Sequence, residues 1–235
     1  MKYRPLRPLF FAVVCCSVLL CSLPAMANDF GKPQELVAKG TAVFKSFMHD
    51  PNMSWFRENV YRARGIFIVP QMLRGGFIIG GSGGSGMLVA RDDKTNEWSY
   101  PAFYTMGSVS LGLQIGADAS EIILMIMTQK GLNAMLSTEF KLGGDVSVAA
   151  GPVGESAKAQ TADVLAFGRS KGLFGGISIE GAVVAPRYEW NDAYYHQPAS
   201  PVDILIKHKV KNPQADELRS ILPKKHPART KPLGT

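Results

Sequence analysis

Residues Gly75–Ala90 read GGFIIGGSGGSGMLVA. Seven of them are glycine, and the rest are mostly apolar or β-favouring. Gly81, Gly83 and Gly86 satisfy G-x-G-x-x-G, the pattern of a dinucleotide-binding turn. That pattern needs a strand before it, a helix opening at its last glycine and an acid about 20 residues on. Here Gly86 leads into Met87-Leu88-Val89-Ala90, a strand pattern, and then into the polar loop Arg91–Asn96. There is no G-K-[ST] either. The stretch therefore builds sheet and holds no nucleotide. Glycine inside strands marks tight bends and close backbone approach. An echo supports a structural role: Gly75-Gly76-Phe77-Ile78-Ile79-Gly80-Gly81 against Gly175-Gly176-Ile177-Ser178-Ile179-Glu180-Gly181.

Working outward, Leu36, Val37, Gly40, Val43, Phe44 and Phe47 fall at helical spacing and predict an amphipathic helix over Lys32–Met48. It either covers one end of the core or lies on a membrane surface. A second short helix is predicted over Trp55–Arg64. From Gly65 the texture changes to short apolar runs broken by glycine. Strands are predicted at Ile66–Val69, Phe77–Ile79, Met87–Ala90 and Glu97–Tyr104, with a turn at Pro70–Arg74. Val109–Ile115 and Glu121–Met127 read as a hairpin, and Gly131–Ser137 as a short helix. Val146–Ala150, Asp163–Phe167, Ile177–Ala185 and Pro186–Glu189 read as further strands. Weak repeats, Gly107–Ser110 with Gly144–Ser147 and Lys130–Leu132 with Lys171–Leu173, suggest related halves. Ser200-Pro201 and Asn212-Pro213 each open a short helix, a cap residue followed by proline at the first helical position. The expected fold is α+β: a curled or barrel-like antiparallel sheet of short glycine-punctuated strands, an N-terminal amphipathic helix and short C-terminal helices.

The chain ends carry separate signals. Lys2, Arg4 and Arg7 precede an apolar run from Leu9 to Leu23 and the small-x-small site Ala25-Met26-Ala27. Residues 1–27 are read as a secretory signal peptide. A membrane anchor would need about 20 apolar residues. Lipidation at Cys21 is the other alternative, although Leu20 before it is large. All three cysteines (Cys15, Cys16, Cys21) lie in this segment, so disulfides and cysteine metal sites are not expected beyond it. Residues 28–206 are read as one domain with 15 basic and 17 acidic residues. Residues 207–235, with eight basic and two acidic residues, form a basic tail with a short helix. Such a tail is either a solvated end or a site for an anionic partner.

Little points to catalysis. His49, His196, His208 and His226 show no metal-ligand spacing. No serine sits in a G-x-S-x-G elbow: Gly80-Gly81-Ser82-Gly83-Gly84 has the spacing, but a strand pattern follows it where the elbow requires a helix. Glu139 and Glu180 are the remaining carboxylate pair to weigh. No enzyme activity, cofactor or metal is expected, and no nucleic-acid partner. More suggestive are Arg74 before Gly75-Gly76, Lys171 before Gly172, and Arg187. Cations beside exposed glycine-turn amides suit a phosphate group.

Arg64-Gly65-Ile66, Gly75-Gly76-Phe77, Gly83-Gly84-Ser85-Gly86, Trp98-Ser99-Tyr100-Pro101, Gln114-Ile115-Gly116, Ala149–Gly154 and Ser170–Gly181, closed by Asn191 and Tyr194-Tyr195, occur in order. This set resembles the SYLF domain family over roughly Asn59–Ile206. The resemblance implies a non-enzymatic lipid-binding module. Phosphoinositide and actin-patch association belong to its eukaryotic members and are not carried over. Bacterial members resemble exported envelope lipid-binding proteins or lipoproteins. Glu155, after Gly151-Pro152-Val153-Gly154, departs from a basic residue expected there. The expectation is a periplasmic or outer-membrane-associated envelope protein that contacts anionic phospholipid through Arg74, Lys171, Arg187, Phe77 and Phe174. The alternative is a structural envelope protein that binds another protein or the cell wall through its basic tail.

Overall fold

The computed structural model describes residues 32–76, 79–111, 116–152, 161–170, 173–175 and 179–225. Helix α1 spans Lys32–His49, and its residues Leu36, Val37, Gly40, Val43, Phe44 and Phe47 are all buried. The apolar stripe thus faces the protein core. Glu35 and Lys39 pair at 2.6 Å on the exposed side. A 3-10 turn at Pro51–Met53, capped by Asp50, leads to α2, Ser54–Asn59, and a second 3-10 turn at Val60–Arg62.

Four long strands follow: β1 (Gly65–Gly76), β2 (Ile79–Ala90), β3 (Ala102–Leu111) and β4 (Gly116–Ile126). Helix α3 (Gln129–Met135) precedes the short β5 (Phe140–Lys141) and β6 (Val148–Ala150). Then come β7 (Val164–Ser170), β8 (Leu173–Gly175) and β9 (Val183–Pro186). Helices α4 (Tyr188–Tyr195) and α5 (Pro201–Leu205), a 3-10 turn at Pro213–Ala215 and α6 (Asp216–Ile221) complete the described chain.

All nine strands form one sheet in the order β5-β9-β3-β2-β1-β4-β7-β6, with β8 added to β7. Every pairing is antiparallel except β6 with β7. The chain length forces the sheet to curl. β5 and β6 lie at opposite ends of the strand order, yet only residues 142–147 separate them. Eight flat strands at ~4.8 Å spacing would be about 34 Å wide. The connection reaches at most about 25 Å when extended. The result is a half-barrel, the α+β curled sheet expected from the sequence, with one parallel pair added.

Helices α1, α2 and α4 pack on its outer face. A Cβ on Gly40 of α1 would lie 2.1 Å from Met87 Cε and 3.6 Å from Ile68 Cγ2. Phe56 of α2 meets Phe167 edge-on at 5.1 Å, and Tyr194 of α4 meets Phe103 at 5.0 Å. The inner face is filled by Phe67 and Tyr104, whose rings meet at 5.8 Å. Tyr104 Oη donates to Met135 O at 2.7 Å, and burial pushes its phenol far above the usual range.

Four local expectations are corrected. Pro70–Arg74 is no turn: β1 runs through it with a bulge, where Val69 and Pro70 oppose Gly86 alone. Proline lacks a ladder donor and is accommodated at a bulge. The strands around Val109 and Glu121 form no hairpin, because β3 pairs with β2 and β9 while β4 crosses to pair with β1 and β7. Tyr188–Glu189 opens helix α4 and extends no strand. The repeat Gly107–Ser110 with Gly144–Ser147 matches a strand to a turn.

The segment after Ile206 is docked on the body. Val210, Ala215, Leu218 and Leu222 are buried in the common core. Trp98 Nε1 donates to Pro223 O at 3.1 Å, and Arg219 Nε donates to Trp98 O at 2.8 Å. Asn96 Nδ2 donates to Lys225 O, while Lys225 N–H donates back to Asn96 Oδ1.

Candidate functional site

The bulge at Pro70 decides which way the glycine-rich end of β1 points. Before it, Phe67 and Val69 face inward with Leu124 and Ile122, their partners on β4. One extra residue shifts the alternation, so Met72 and Arg74 take the inner face while Leu73 turns outward. Met72, Arg74, Ser82, Met106, Ser108, Ser120, Ile122, Ile179 and Ala182 line one small hollow of about 20 Å³. That β4 residues and the turn before β9 share one hollow shows this face to be concave.

The hollow is the mouth of the half-barrel. Its floor is apolar: Met72, Met106, Ile122 and Ile179 are buried. Its rim is polar. Ser82 and Ser108 are in register and share a hydrogen bond at 2.8 Å. Arg74 is exposed and, among the described residues, makes no hydrogen bond or ion pair. Its register partners are Ser82 on β2 and Asp118 on β4. Ser170 Oγ donates to Asp118 Oδ2 at 2.6 Å. A guanidinium beside several hydroxyls supplies donors for an anion.

Arg187 lies on the other side of the sheet. Its Nη1 donates to Ser85 Oγ at 3.3 Å, its Nε donates to Glu189 Oε1 at 3.1 Å, and its Cζ stands 3.7 Å from the Trp190 ring centre. Ser85 and Ser82 have opposite parity on an unbroken strand, so Arg74 and Arg187 do not share a face. Lys171 and Phe77 lie outside the described residues. Phe174 is placed as a residue of β8, in register with Arg169. Two wide grooves of about 390 and 290 Å³ flank α1 on the outer face and share Lys39, Pro70 and Gln71. Leu73, 55% exposed, borders the second of them.

Glu139 and Glu180 are both exposed, and neither lines these hollows. Among the described residues no group of three His, Cys, Asp or Glu is arranged to hold a metal. No helix among them is long and apolar enough to cross a membrane. The rim serines and Asp118 were not singled out from sequence. The signal that finds them is the alternation of β2 and β4 once both are read as single long strands.

A family model described as "Ysc84: Las17-binding protein actin regulator" matches residues 107–225. Protein YSC84 of Saccharomyces cerevisiae is 33% identical over 200 residues, covering 78% of this chain and 42% of that protein. LAS seventeen-binding protein 3 of the same yeast is 35% identical over 171 residues, 68% of this chain and 36% of that protein. SH3 domain-containing YSC84-like protein 1 of Homo sapiens is 32% identical over 169 residues, 69% of this chain and 49% of that protein. The chain thus spans less than half the length of each of these relatives.

Proposed function

This chain belongs to the Ysc84/SYLF family, and from that premise we propose that it is a non-catalytic lipid-binding module whose Arg74 meets the phosphate of an anionic phospholipid headgroup. One observation carries the reading: Arg74 is an exposed arginine at a hydroxyl-rimmed mouth, with no internal partner among the described residues. Other arginines are engaged inside the fold. Arg169 pairs with Glu121, Arg187 with Glu189, and Arg219 with Asp216 and Glu97. A planar guanidinium matches a phosphate with two parallel donors. In this reading residues 1–27 direct export, and the module works in the cell envelope. Lys171, Phe77 and Phe174 remain proposed contacts alongside Arg74, while Arg187 would serve a separate contact on the outer face.

A protein partner is the second reading, favoured by the relatives' description, which names Las17 binding and actin regulation. The basic tail is less suited to carry it, because Lys207 and Lys209 are held by Asp203, and Arg219 and Lys224 by Glu97.

Vesicle flotation tests the lipid reading. The protein is expected to float with phosphatidylglycerol-containing vesicles more than with pure phosphatidylcholine. Arg74→Ala is expected to weaken that retention roughly tenfold, the equivalent of one charge-assisted hydrogen bond. Equal flotation on both vesicles, with no effect of Arg74→Ala, sinks the reading.

A further inference from the structure

The hydroxyls around Arg74 narrow the ligand. We propose that the half-barrel mouth takes a terminal phosphate monoester, as at the head of phosphatidic acid, in preference to the phosphate diester of other anionic phospholipids; this rests on the lipid reading above. The register sets Ser108 of β3, Ser82 of β2 and Arg74 of β1 side by side in one layer. Met106 of β3, Met72 of β1 and Ser120 of β4 belong to the next layer down, on either side of Gly84 and Met72 in register. All six side chains line the hollow of about 20 Å³. That is room for about one water-sized atom.

Donors remain available there. Ser82 and Ser108 share one hydrogen bond at 2.8 Å. A pair of hydroxyls holds two protons, so one is left to donate elsewhere. Among the described residues Ser120 Oγ has no hydrogen-bond partner, and neither has the Arg74 guanidinium. Asp118, the other register neighbour of Arg74, is committed inside the fold: its Oδ1 is buried and its Oδ2 accepts from Ser170 Oγ at 2.6 Å. The planar fork of Arg74 matches two oxygens of one anion. A carboxylate or a phosphate diester has only two charged oxygens, and the fork takes both. A phosphate monoester has a third, which tetrahedral phosphorus carries out of the plane of the fork. That oxygen is the size the hollow admits, and the Ser82–Ser108 pair and Ser120 are placed to donate to it.

The same group is carried by a membrane lipid and by soluble phosphate esters, and the test separates them. The full chain is floated with phosphatidylcholine vesicles carrying either phosphatidic acid or phosphatidylglycerol, adjusted to equal surface charge by zeta potential. Retention on phosphatidic acid is expected to exceed that on phosphatidylglycerol by roughly fivefold, the scale of one added hydrogen bond. Ser82→Ala and Ser120→Ala are each expected to remove most of that preference. Wild-type protein titrated with soluble glycerol phosphate and with the diester glycerophosphoglycerol, followed by the amide NMR shifts of Ser82 and Ser120, provides a readout that needs no variant. Saturable shifts with glycerol phosphate alone support recognition of the monoester itself. A preference for phosphatidic acid without such shifts supports a site that works only at a bilayer. Equal retention on the two charge-matched vesicles, or an unchanged preference in both serine variants, overturns the inference while leaving the lipid reading standing. Failure to float with any vesicle overturns both.

Discussion

Gly83 and Gly84 are neighbours in β2 but answer to different constraints. A Cβ on Gly84 would lie 2.5 Å from the Gln71 carbonyl oxygen and 3.2 Å from Met72 Cα, both backbone atoms of the bulged β1. A Cβ on Gly83 would meet nothing nearer than Met106 O at 4.0 Å. Gly84→Ala is expected to destabilise by about 2 kcal/mol or more through overpacking. Gly83→Ala is expected to be neutral or to stabilise by about 0.5 kcal/mol, by restricting the unfolded chain. Urea denaturation of the two variants checks the pair, and equal losses would contradict the geometry. At this scale the sequence was half legible. The glycine run announced sheet and not a nucleotide loop, because a strand pattern follows Gly86. The role of Pro70 was hidden. A proline between two strand-like runs signals a turn or a bulge equally well, and only the partner strands decide.

At the scale of elements, one carboxylate ties three together. Asp163, just before β7, accepts from Thr128 Oγ1 at 2.6 Å and from Ser147 N at 3.0 Å. Thr128 caps α3, and Ser147 precedes β6. The Thr128 hydroxyl first, then the Ser147 amide, lower the Asp163 carboxyl to about 2. A depressed carboxyl contributes stability that is present above its unfolded value, about 3.9, and is lost as pH falls toward the folded one. Wild type is therefore expected to lose stability between about pH 4 and pH 2 more steeply than Asp163→Asn. At neutral pH the variant is expected to be weaker by about 1–3 kcal/mol. Thermal melts across pH measure both, and parallel pH curves would remove Asp163 from this role. The C-terminal helix starts were legible because their caps are local: Ser200 Oγ accepts from Asp203 N–H, and Asn212 Oδ1 from Gln214 N–H. Helix α4 was not. Its sequence YEWNDAYY is rich in aromatic residues that favour strands, but Trp190, Asn191, Tyr194 and Tyr195 are buried together in helical spacing. Tertiary packing on Phe103 overrides the local preference.

For the whole molecule, the charge step after Ile206 does not coincide with a structural boundary. Removing residues 207–235 would strip Val210, Ala215, Leu218 and Leu222 from the core and leave the Trp98 indole without its Pro223 partner. That truncation is expected to abolish a cooperative melt, whereas ending the chain after Lys225 is expected to preserve it. Circular dichroism melts of both decide the matter, and a stable protein ending at Ile206 would restore a detachable tail. The curl of the sheet was readable from many short glycine-broken runs. The crossover of β4 to β1 was not, since strand order depends on contacts far apart in sequence. The same crossover seats Asp118 beside Arg74.

The brevity of the outermost strands has a consequence for how the protein behaves in a crowded compartment. β5 has two residues, β6 three and β8 three. The long, glycine-rich strands β1 and β2 are flanked on both sides within the sheet. Unpaired strand edges are templates for edge-to-edge aggregation. Among the described residues, the chain keeps its most glycine-rich strands at the centre of the sheet, and the outermost strands, two or three residues long, are short templates for another molecule.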